Sequence, residues 1–401
     1  MSRNAYPVIS IEEAWQRIAA AVRPLPPVVL PLTEVLGHVL TEDVVATENM
    51  PPFRASAMDG YAVLAEDAFT ERRIIGEQDA GRQKPLRVEP GTAVRIMTGA
   101  PLPEGADAVI RVEDAVEQEG WVRFLVPVSR GDNVRPVGQD VAAGDIVLEK
   151  GLTLGPAEIG LLATIGHTRV LVHPMPRVAV MATGDELVPP ERALAPGEIR
   201  DSNSYAVAAA VEAAGGRPIP DNEAALRAAI LEGVSRADML LSTGGVSMGV
   251  RDLIKPLLAE LGTVHFGQVA VRPGKPLTFA TVGDVPVFGL PGFPVSSLVS
   301  FEMFVRPALR IMSGQHKLWR PEVPACLSRS IRHSPDRTEF QRAIVVLRDG
   351  EYWAETTGVQ VSGRLKSLVG ANALLKLPAG VTDFKHGDAV TAILINQAEV
   401  S

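Results

Sequence analysis

A glycine-rich loop in residues 239–252 has the residue types of an anion-binding site. Residues 239–241 are apolar and predict a buried strand, and the amphipathic residues 252–261 predict a helix. Glycine lets the backbone approach a ligand closely, and the N–H groups at a helix start favour phosphate. The candidate ligand-binding residues of this loop are Ser242, Gly244, Gly245 and Ser247. An ordinary turn between a strand and a helix uses the same glycines, so the loop alone leaves both interpretations open.

The carboxylate of Asp252, at the end of this loop, would repel a bound anion. A bridging Mg²⁺ would remove that conflict, because carboxylate and phosphate oxygens are the ligands that Mg²⁺ prefers. The loop has neither the G-x-G-x-x-G spacing of dinucleotide-binding proteins nor the G-x-x-x-x-G-K-[ST] of P-loop proteins. The sequence therefore predicts a magnesium and phosphate site of another kind.

Residues 175–315 alternate strand-like and helix-like segments, among them a helix capped by Asp201 or Ser202 and a single strand at 264–271. This alternation predicts a mainly parallel, doubly wound sheet. Ligands bind at the carboxyl ends of the strands in such sheets. Small, polar or acidic residues follow four of the predicted strands: Glu186, Asp221, the loop at 242–247, and Pro291, Gly292 and Ser296. Each loop alone is compatible with plain turn chemistry, but four at one edge favour a ligand site. The metal ligands predicted there are Glu186, Asp221 and Asp252.

Basic residues near this edge complete the predicted anion site. The turn at 272–276 carries Arg272 and Lys275, followed by Pro276. Lys275 would hold an oxyanion as a point charge, although a solvated turn is the alternative interpretation. Arg342 and Ser362, far along the chain, are also suitable for an oxyanion, while their residue types alone favour the surface.

The remaining segments predict three further structural parts. Ser10 is predicted to cap a first helix, with a second at residues 32–40, and residues 61–137 are predicted to form a small β domain. We predict an N-terminal helical and mixed module at 1–48 plus 139–174, with the β domain at 49–138 inserted in it. The α/β domain would span 175–318, and a C-terminal β barrel 319–401.

Composition excludes several classes of function. The chain has 401 residues and a net charge of -8, which disfavours nucleic-acid binding. Cys326 is the only cysteine, so neither a disulfide within the chain nor a thiolate zinc cluster is expected. No apolar run reaches the roughly 18 residues of a membrane span, and residues 1–6 lack a signal-peptide core. We therefore expect a cytoplasmic protein.

Six segments together resemble the MoeA family of molybdopterin molybdenumtransferases, which is related to the gephyrin E domain. They are residues 56–62, 96–101, 182–187, 242–252, 273–276 and 289–296. The resemblance covers essentially the whole chain. It implies a homodimer whose α/β domain binds molybdopterin. The implied reaction takes adenylylated molybdopterin and molybdate, requires Mg²⁺, and releases AMP.

The resemblance also implies roles for individual residues. Asp59 and Thr98 would reach the site from one subunit, while Glu186, Asp221 and Asp252 come from the other. The molybdate pocket would consist of Lys275, Pro276, Ser296, Arg342 and Ser362. Molybdopterin adenylyltransferase is an expected partner, since it would hand over the substrate. From residue types alone, Asp59-Gly60 is interpreted as a simple turn.

Three positions depart from the family pattern. Arg272 stands where lysine is usual, Gln268 where a basic residue is common, and Phe293 where asparagine is frequent. A tungsten-inserting paralogue would have nearly the same sequence. A non-catalytic molybdopterin-binding scaffold is a further alternative, which the complete set of acids disfavours.

Overall fold

The computed structural model describes residues 6–220, 226–244, 254–397 and 399–400. The chain divides into two compact units, one formed by 30–36 and 40–170 and the other by 1–29, 37–39 and 171–401. None of the helices in the described part of the chain combines the length and the hydrophobicity needed to cross a bilayer.

The first part of the chain consists mainly of short strands. They are β1 (Val28–Pro31), β2 (Val39–Leu40), β3 (Val44–Val45), β4 (Ala55–Ser56), β5 (Gly60–Val63), β6 (Glu71–Gln78), β7 (Thr92–Ile96), β8 (Ala108–Arg111), β9 (Ala115–Gln118), β10 (Trp121–Phe124), β11 (Val134–Arg135), β12 (Ile146–Leu148) and β13 (Arg169–His173). The α-helices here are α1 (Ile11–Ala21) and α2 (Pro156–Thr164), and 3-10 turns lie at Leu32–Glu34 and Val112–Asp114.

The second part of the chain alternates strands and helices before it becomes all-β. Its strands are β14 (Arg177–Ala182), β15 (Leu187–Val188), β16 (Ile199–Arg200), β17 (Arg217–Pro220), β18 (Met239–Thr243), β19 (Thr263–Phe266), β20 (Val271–Arg272), β21 (Thr278–Val282), β22 (Val285–Leu290), β23 (Glu322–Leu327), β24 (Ile331–Arg332), β25 (Thr338–Arg348), β26 (Glu351–Thr356), β27 (Ala373–Leu377), β28 (Asp383–Phe384), β29 (Ala389–Leu394) and β30 (Glu399–Val400). Its helices are α3 (Asn203–Ala213), α4 (Leu226–Arg236), α5 (Ile254–Leu261), α6 (Pro294–Ser300) and α7 (Arg306–Met312). A π-helical turn, Phe301–Val305, joins α6 to α7, and a 3-10 turn lies at Leu365–Leu368.

The small β domain is confirmed as a six-stranded sheet of order β8-β5-β7-β6-β10-β9. Strand β5 pairs with β7 on one side and with β8 on the other. A Cβ at Gly60 would lie 1.9 Å from the carbonyl oxygen of Ile110, so only glycine permits this approach of β5 to β8. The Asp59-Gly60 pair thus has a packing reason beyond turn formation.

The doubly wound α/β domain is also confirmed. Its sheet has the order β17-β14-β18-β22-β21-β19, and the first four strands are parallel. Strands β21 and β19 complete the sheet in antiparallel pairing. The predicted helix after Asp201 is α3, and the carboxylate of Asp201 accepts hydrogen bonds from the N–H groups of Asn203 and Ser204 at 3.0 and 3.1 Å. Capping of this kind explains where the helix begins.

The C-terminal barrel closes with five strands, in the order β25-β26-β23-β29-β27 and back to β25. Its interior contains small and β-branched side chains such as Ala343, Val345 and Ala354. Short side chains suit a small barrel, where little interior space is left. Strand β20 of the α/β domain pairs with β25, which sets Arg272 opposite Glu339.

Two sequence predictions about elements were wrong. The predicted helix at 32–40 is a 3-10 turn followed by β2, because Gly37 adopts a left-handed φ of +79° that a helix cannot continue through. The single strand predicted at 264–271 is two strands, β19 and β20. Between these two strands, Val269 forms a β-bridge with Ile9, so this stretch pairs with the N-terminal segment of the chain.

Candidate active site

Asp59 and Thr98 form a hydrogen-bonded pair on the six-stranded sheet. Asp59 precedes β5 and Thr98 follows β7, and the pairing of Gly60 with Ile96 brings them together. One carboxylate oxygen of Asp59 accepts the Thr98 N–H at 2.6 Å and the Thr98 hydroxyl at 2.8 Å. These bonds, the backbone one first, lower the pKa of Asp59, because they favour its charged form. Both residues are exposed, so the carboxylate is an ionised group presented to solvent.

The loops after three parallel strands of the α/β sheet are joined to one another. The N–H of Thr183 donates to the carbonyl of Thr243 at 2.9 Å, and the N–H of Gly244 donates to Leu290 at 3.1 Å. Gly244 has φ +84°, and a Cβ there would lie 2.4 Å from the Thr183 carbonyl oxygen. A Cβ at Gly292 would lie 3.5 Å from the Cα of Gly244. These loops therefore form one continuous surface, as the strand-end rule predicts.

Two further loops contact α6, the helix that follows the loop after β22. The N–H of Val295 donates to the carbonyl of Ser362 at 3.1 Å, which holds the Ser362 loop at the start of α6. Gly274 has φ +113°, and a Cβ there would lie 2.6 Å from Ser300 Oγ and 3.7 Å from the Ser296 carbonyl. The turn that carries Lys275 and the loop that carries Ser362 therefore both contact α6, the helix that contains Ser296.

The candidate side chains differ in their access to solvent. Glu186 and Gly292 are exposed, Lys275, Pro276 and Ser362 are half-buried, and Ser242, Pro291 and Ser296 are buried. The Ser242 hydroxyl is buried inside β18 with no hydrogen-bond partner among the described residues. Asp221, Gly245, Ser247 and Asp252 lie outside the described residues. Their roles stay predictions.

Arg342 is buried rather than on the surface, with a relative exposure of 0%. Its Nε and Nη2 donate to Ser367 Oγ at 3.1 and 2.9 Å, and Nη2 also reaches the carbonyls of Val359 and Val361 at 3.4 and 3.3 Å. Burial lowers the pKa of Arg342 to about 10, against the opposing effect of the Glu339 carboxylate, so the group stays cationic at neutral pH.

A recess at one end of the barrel is a feature that the sequence analysis missed. It is lined by Arg272, Ile331, Arg332, His333, Glu339, Gln341, Thr356, Gln360 and Val361. Glu339 Oε1 lies 3.8 Å from Arg272 Nε, and Glu339 Oε2 lies 3.6 Å from His333 Nδ1. Glu339 and Gln341 are buried polar residues on β25, and this unusual run of polar residues in a strand was the available signal. Because Val361 adjoins Ser362, the recess borders the candidate oxyanion residues.

The described residues of this surface include one suitable magnesium ligand but do not by themselves form a complete magnesium site. The exposed Glu186 carboxylate lies against Gly184, where a Cβ would come within 2.8 Å of its oxygens. Carboxylate oxygen is a suitable ligand type for Mg²⁺. Within the described ranges no three acidic, histidine or cysteine side chains gather as a metal site, and the other two predicted ligands lie outside those ranges.

Comparison with known proteins matches each part of this architecture. Residues 9–166 match the MoeA N-terminal region (domains I and II), 179–311 a probable molybdopterin-binding domain, and 324–395 the MoeA C-terminal region (domain IV). The converging loops at 244, 274, 292 and 362 thus lie on a protein built around an α/β domain of the molybdopterin-binding class.

Similar proteins align over nearly the full chain. Molybdopterin molybdenumtransferase 2 of Mycobacterium tuberculosis is 38% identical over 94% of this chain and 97% of its own length. The crystal structure of a MoeA protein from Pyrococcus horikoshii covers 98% of this chain, and 100% of its own, with a TM-score of 0.81 and 31% identity. Gephyrin of Dictyostelium discoideum is 36% identical over 91% of this chain, which spans 59% of that protein. The chain belongs to the MoeA family, and the resemblance inferred from its motifs is confirmed.

Proposed function

We propose that this chain inserts molybdenum into adenylylated molybdopterin and releases AMP. Its family membership assigns it to molybdenum cofactor biosynthesis, as a transferase of the molybdopterin molybdenumtransferase kind. In the proposed reaction water cleaves the bond between the two phosphates and AMP leaves with one of them. The two dithiolene thiols bind molybdenum, and their protons leave with one molybdate oxygen as water. Molybdate is a substrate here and not a resident cofactor.

The observation that carries this proposal is the convergence of five loops on the α/β domain. Gly244 and Gly292 bring backbone close together beside the end of β14, and the turn at Gly274 and the loop at Ser362 contact the following helix. Backbone N–H groups with glycines suit a phosphate ester. Lysine and hydroxyl donors suit a tetrahedral dianion. Lys275, Ser296 and Ser362, together with Pro276 and Arg342, are therefore the proposed molybdate-binding residues.

Asp59 and Thr98 are proposed to complete the site from a second subunit. Their support is chemical: a solvent-exposed, ionised carboxylate held by two hydrogen bonds is oriented before substrate arrives. Such preorganised charge is effective at a reacting centre. The homodimer that this requires is part of the proposal, as are a cytoplasmic location and delivery of substrate by molybdopterin adenylyltransferase.

Magnesium is proposed as the metal of the reaction, held by Glu186 with Asp221 and Asp252. When bound, it would neutralise charge on the phosphates of the substrate. Glu186 is placed by the end of β14 and is exposed, so its carboxylate is accessible from the loop surface.

The test is to incubate the pure protein with adenylylated molybdopterin, Mg²⁺ and molybdate, and to measure AMP release and active cofactor. AMP release that depends on molybdate is the expected result. A parallel reaction with tungstate decides the metal, since preference for tungstate would identify a tungsten-inserting enzyme. A folded protein that binds molybdopterin but releases no AMP would overturn the enzymatic proposal and indicate a scaffold.

A further inference from the structure

The recess at one end of the C-terminal barrel contains two buried polar side chains. Glu339 and Gln341 lie on the same face of β25 as Ala343, which is in the apolar barrel interior, because side chains alternate along a strand. Their partners in register on β27 are Leu377 and Leu375, which belong to that interior. Glu339 and Gln341 are each only 4% exposed. Two polar residues thus stand at the end of the barrel where apolar ones would complete its core.

The carboxylate of Glu339 has charged neighbours but lacks the hydrogen bonds that a buried carboxylate needs. Its Oε2 has no hydrogen-bond partner in the described part of the chain. Arg272 Nε lies 3.8 Å from Oε1, and His333 Nδ1 lies 3.6 Å from Oε2, which are both too far for a hydrogen bond. Because an unpaired buried acceptor costs free energy, packing alone would favour an apolar residue at this position. The carboxylate is better explained as a group that binds a ligand.

The recess adjoins the proposed molybdate-binding residues along two segments of the chain. Arg272, which lines it, precedes Lys275 in the same turn, and Val361, which also lines it, directly precedes Ser362. The volume of the recess is about 380 Å³, within the roughly 300–1,000 Å³ of small-molecule sites. In molybdopterin the dithiolene carbons belong to a pyran ring that is fused to the pterin. When the sulfur atoms reach molybdate, the pterin must therefore lie beside the molybdate-binding residues, as this recess does.

The charges in the recess are unsuitable for a simple ion. The carboxylate of Glu339 would repel an anion, whereas Arg272 and Arg332 would repel a metal cation. A neutral, planar ring that has donors and an acceptor on one edge fits this mixture of groups. The 2-amino group and N3–H of a pterin are adjacent donors that suit one carboxylate, and the 4-oxo group is an acceptor that suits the amide of Gln341.

We propose that Glu339 binds the aminopyrimidinone edge of the pterin. Its carboxylate accepts hydrogen bonds from the 2-amino group and N3–H, and the amide of Gln341 donates to the 4-oxo group. The terminal torsion of a glutamate side chain is soft, so rotation of the carboxylate can turn Oε2 from its enclosed position toward the recess. This inference rests on the proposed function and extends it, because it assigns the pterin end of the substrate to two residues outside the motif segments.

The first test compares two probes on the wild-type protein. They are 6-hydroxymethylpterin and 6-hydroxymethyllumazine, in which an oxo group replaces the 2-amino group, and the fluorescence of each ring reports its binding. We expect the pterin to bind at least about tenfold more tightly, because the lumazine lacks one donor and turns an oxygen toward the carboxylate. Equal affinities, or no saturable binding of the pterin, would overturn the proposal.

Glu339→Gln tests the carboxylate itself, because glutamine has the same shape but offers one acceptor and one donor to two donors. The preference for pterin over lumazine should fall below about threefold. The KM for adenylylated molybdopterin should rise about tenfold, while the KM for molybdate should not rise, since a negative charge is removed. Glu355→Gln is the matched control, because Glu355 is exposed on β26 and pairs with Arg329 at 3.1 Å. A Glu339→Gln protein that keeps the wild-type preference would contradict the assignment.

Gln341→Met tests the second contact independently. Methionine has a similar length but cannot donate to the 4-oxo group, which both probes carry. We expect this variant to weaken the binding of pterin and lumazine by the same factor, about threefold, and to leave the preference between them unchanged. A lost preference in this variant would show that the pterin does not lie in the proposed orientation.

The probe titrations keep this inference separate from the proposed function, because they contain neither molybdate nor Mg²⁺ and do not depend on AMP release. A protein that prefers pterin over lumazine but releases no AMP would support the pterin site and reject only the enzymatic function. Molybdate-dependent AMP release by a protein that binds both probes equally would reject the pterin site and leave the function standing.

Discussion

The contact of Asp59 with Thr98 could not be predicted from the residues next to Asp59 in the sequence. Its neighbour in sequence, Gly60, indicates a turn, and Asp is common in turns for local reasons. In the fold its carboxylate is held by Thr98, 39 positions further along the chain. The pair connects two strands of the six-stranded sheet, which orients an exposed carboxylate without burying it.

Asp59→Asn is predicted to lower kcat/KM for AMP release by about 10²-fold or more, because a preorganised charge is removed while the side-chain shape is kept. The thermal midpoint should change little, since Asn can still accept from Thr98. Activity assays and a thermal melt on the same preparation check both parts. A variant with full activity would exclude Asp59 from the site.

The lowered pKa of Asp59 also sets the pH dependence of this pair. A carboxylate whose folded pKa is below its unfolded value of 3.8 contributes its stabilisation above that value and loses it as pH falls through the folded pKa. The Asp59–Thr98 bonds should therefore persist throughout pH 5–8. A change in activity within that range that disappears in Asp59→Asn would contradict this.

At the scale of elements, the site depends on how closely the strand-end loops approach one another. Gly244 and Gly197 both have positive φ, of +84° and +89°. A Cβ at Gly197 meets nothing within 4 Å, whereas at Gly244 it would meet the backbone of Thr183. Substitution of Gly197 therefore measures the backbone strain of a left-handed residue alone, whereas substitution of Gly244 adds a steric clash with Thr183.

Gly244→Ala is predicted to destabilise the protein by about 3 kcal/mol or more and to abolish activity, because the loops after β14 and β18 must separate. Gly197→Ala should cost only about 1–2 kcal/mol, the penalty of a left-handed alanine. The free energy of unfolding of each variant, obtained from denaturant titrations, checks both values. Equal destabilisation would show that the Gly244 contact with Thr183 is unimportant.

At the scale of the whole molecule, the proposed site requires two chains. One chain has a mass of 42.7 kDa, so light scattering should give about twice that value for the active species. In a symmetric dimer each site would take Asp59 and Thr98 from one subunit and Glu186 from its partner. Two different inactive subunits can then build one intact site between them.

Mixing Asp59→Asn with Glu186→Gln subunits, after dissociation and reassembly, is predicted to restore about a quarter of wild-type activity. Half of the randomly formed dimers are mixed, and each has one intact site of two. Asp59→Asn mixed with Thr98→Ala is the matched control, because both changes damage the same half of the site, and it should stay inactive. Mixed dimers of the first pair without activity would contradict a shared site.

The sequence alone determined most elements of the α/β domain and the family to which the chain belongs. Strands such as β14 and helices such as α3 are recognisable because their apolar periodicity and capping residues act within a few positions. The motif segments predicted the MoeA family without any structure. The predicted domain boundaries remain predictions, because local patterns do not specify where one core ends.

Only the tertiary structure decided which distant residues meet. The bonds of the buried Arg342 to Ser367, and the pairing of Ile9 with Val269, join segments separated by 25 to more than 250 positions. Residue type cannot predict these contacts, since arginine is usually exposed and its burial depends on partners supplied by another loop. The periodicity of apolar residues in the sequence indicates that a side chain is buried, whereas the tertiary fold determines which residues it packs against.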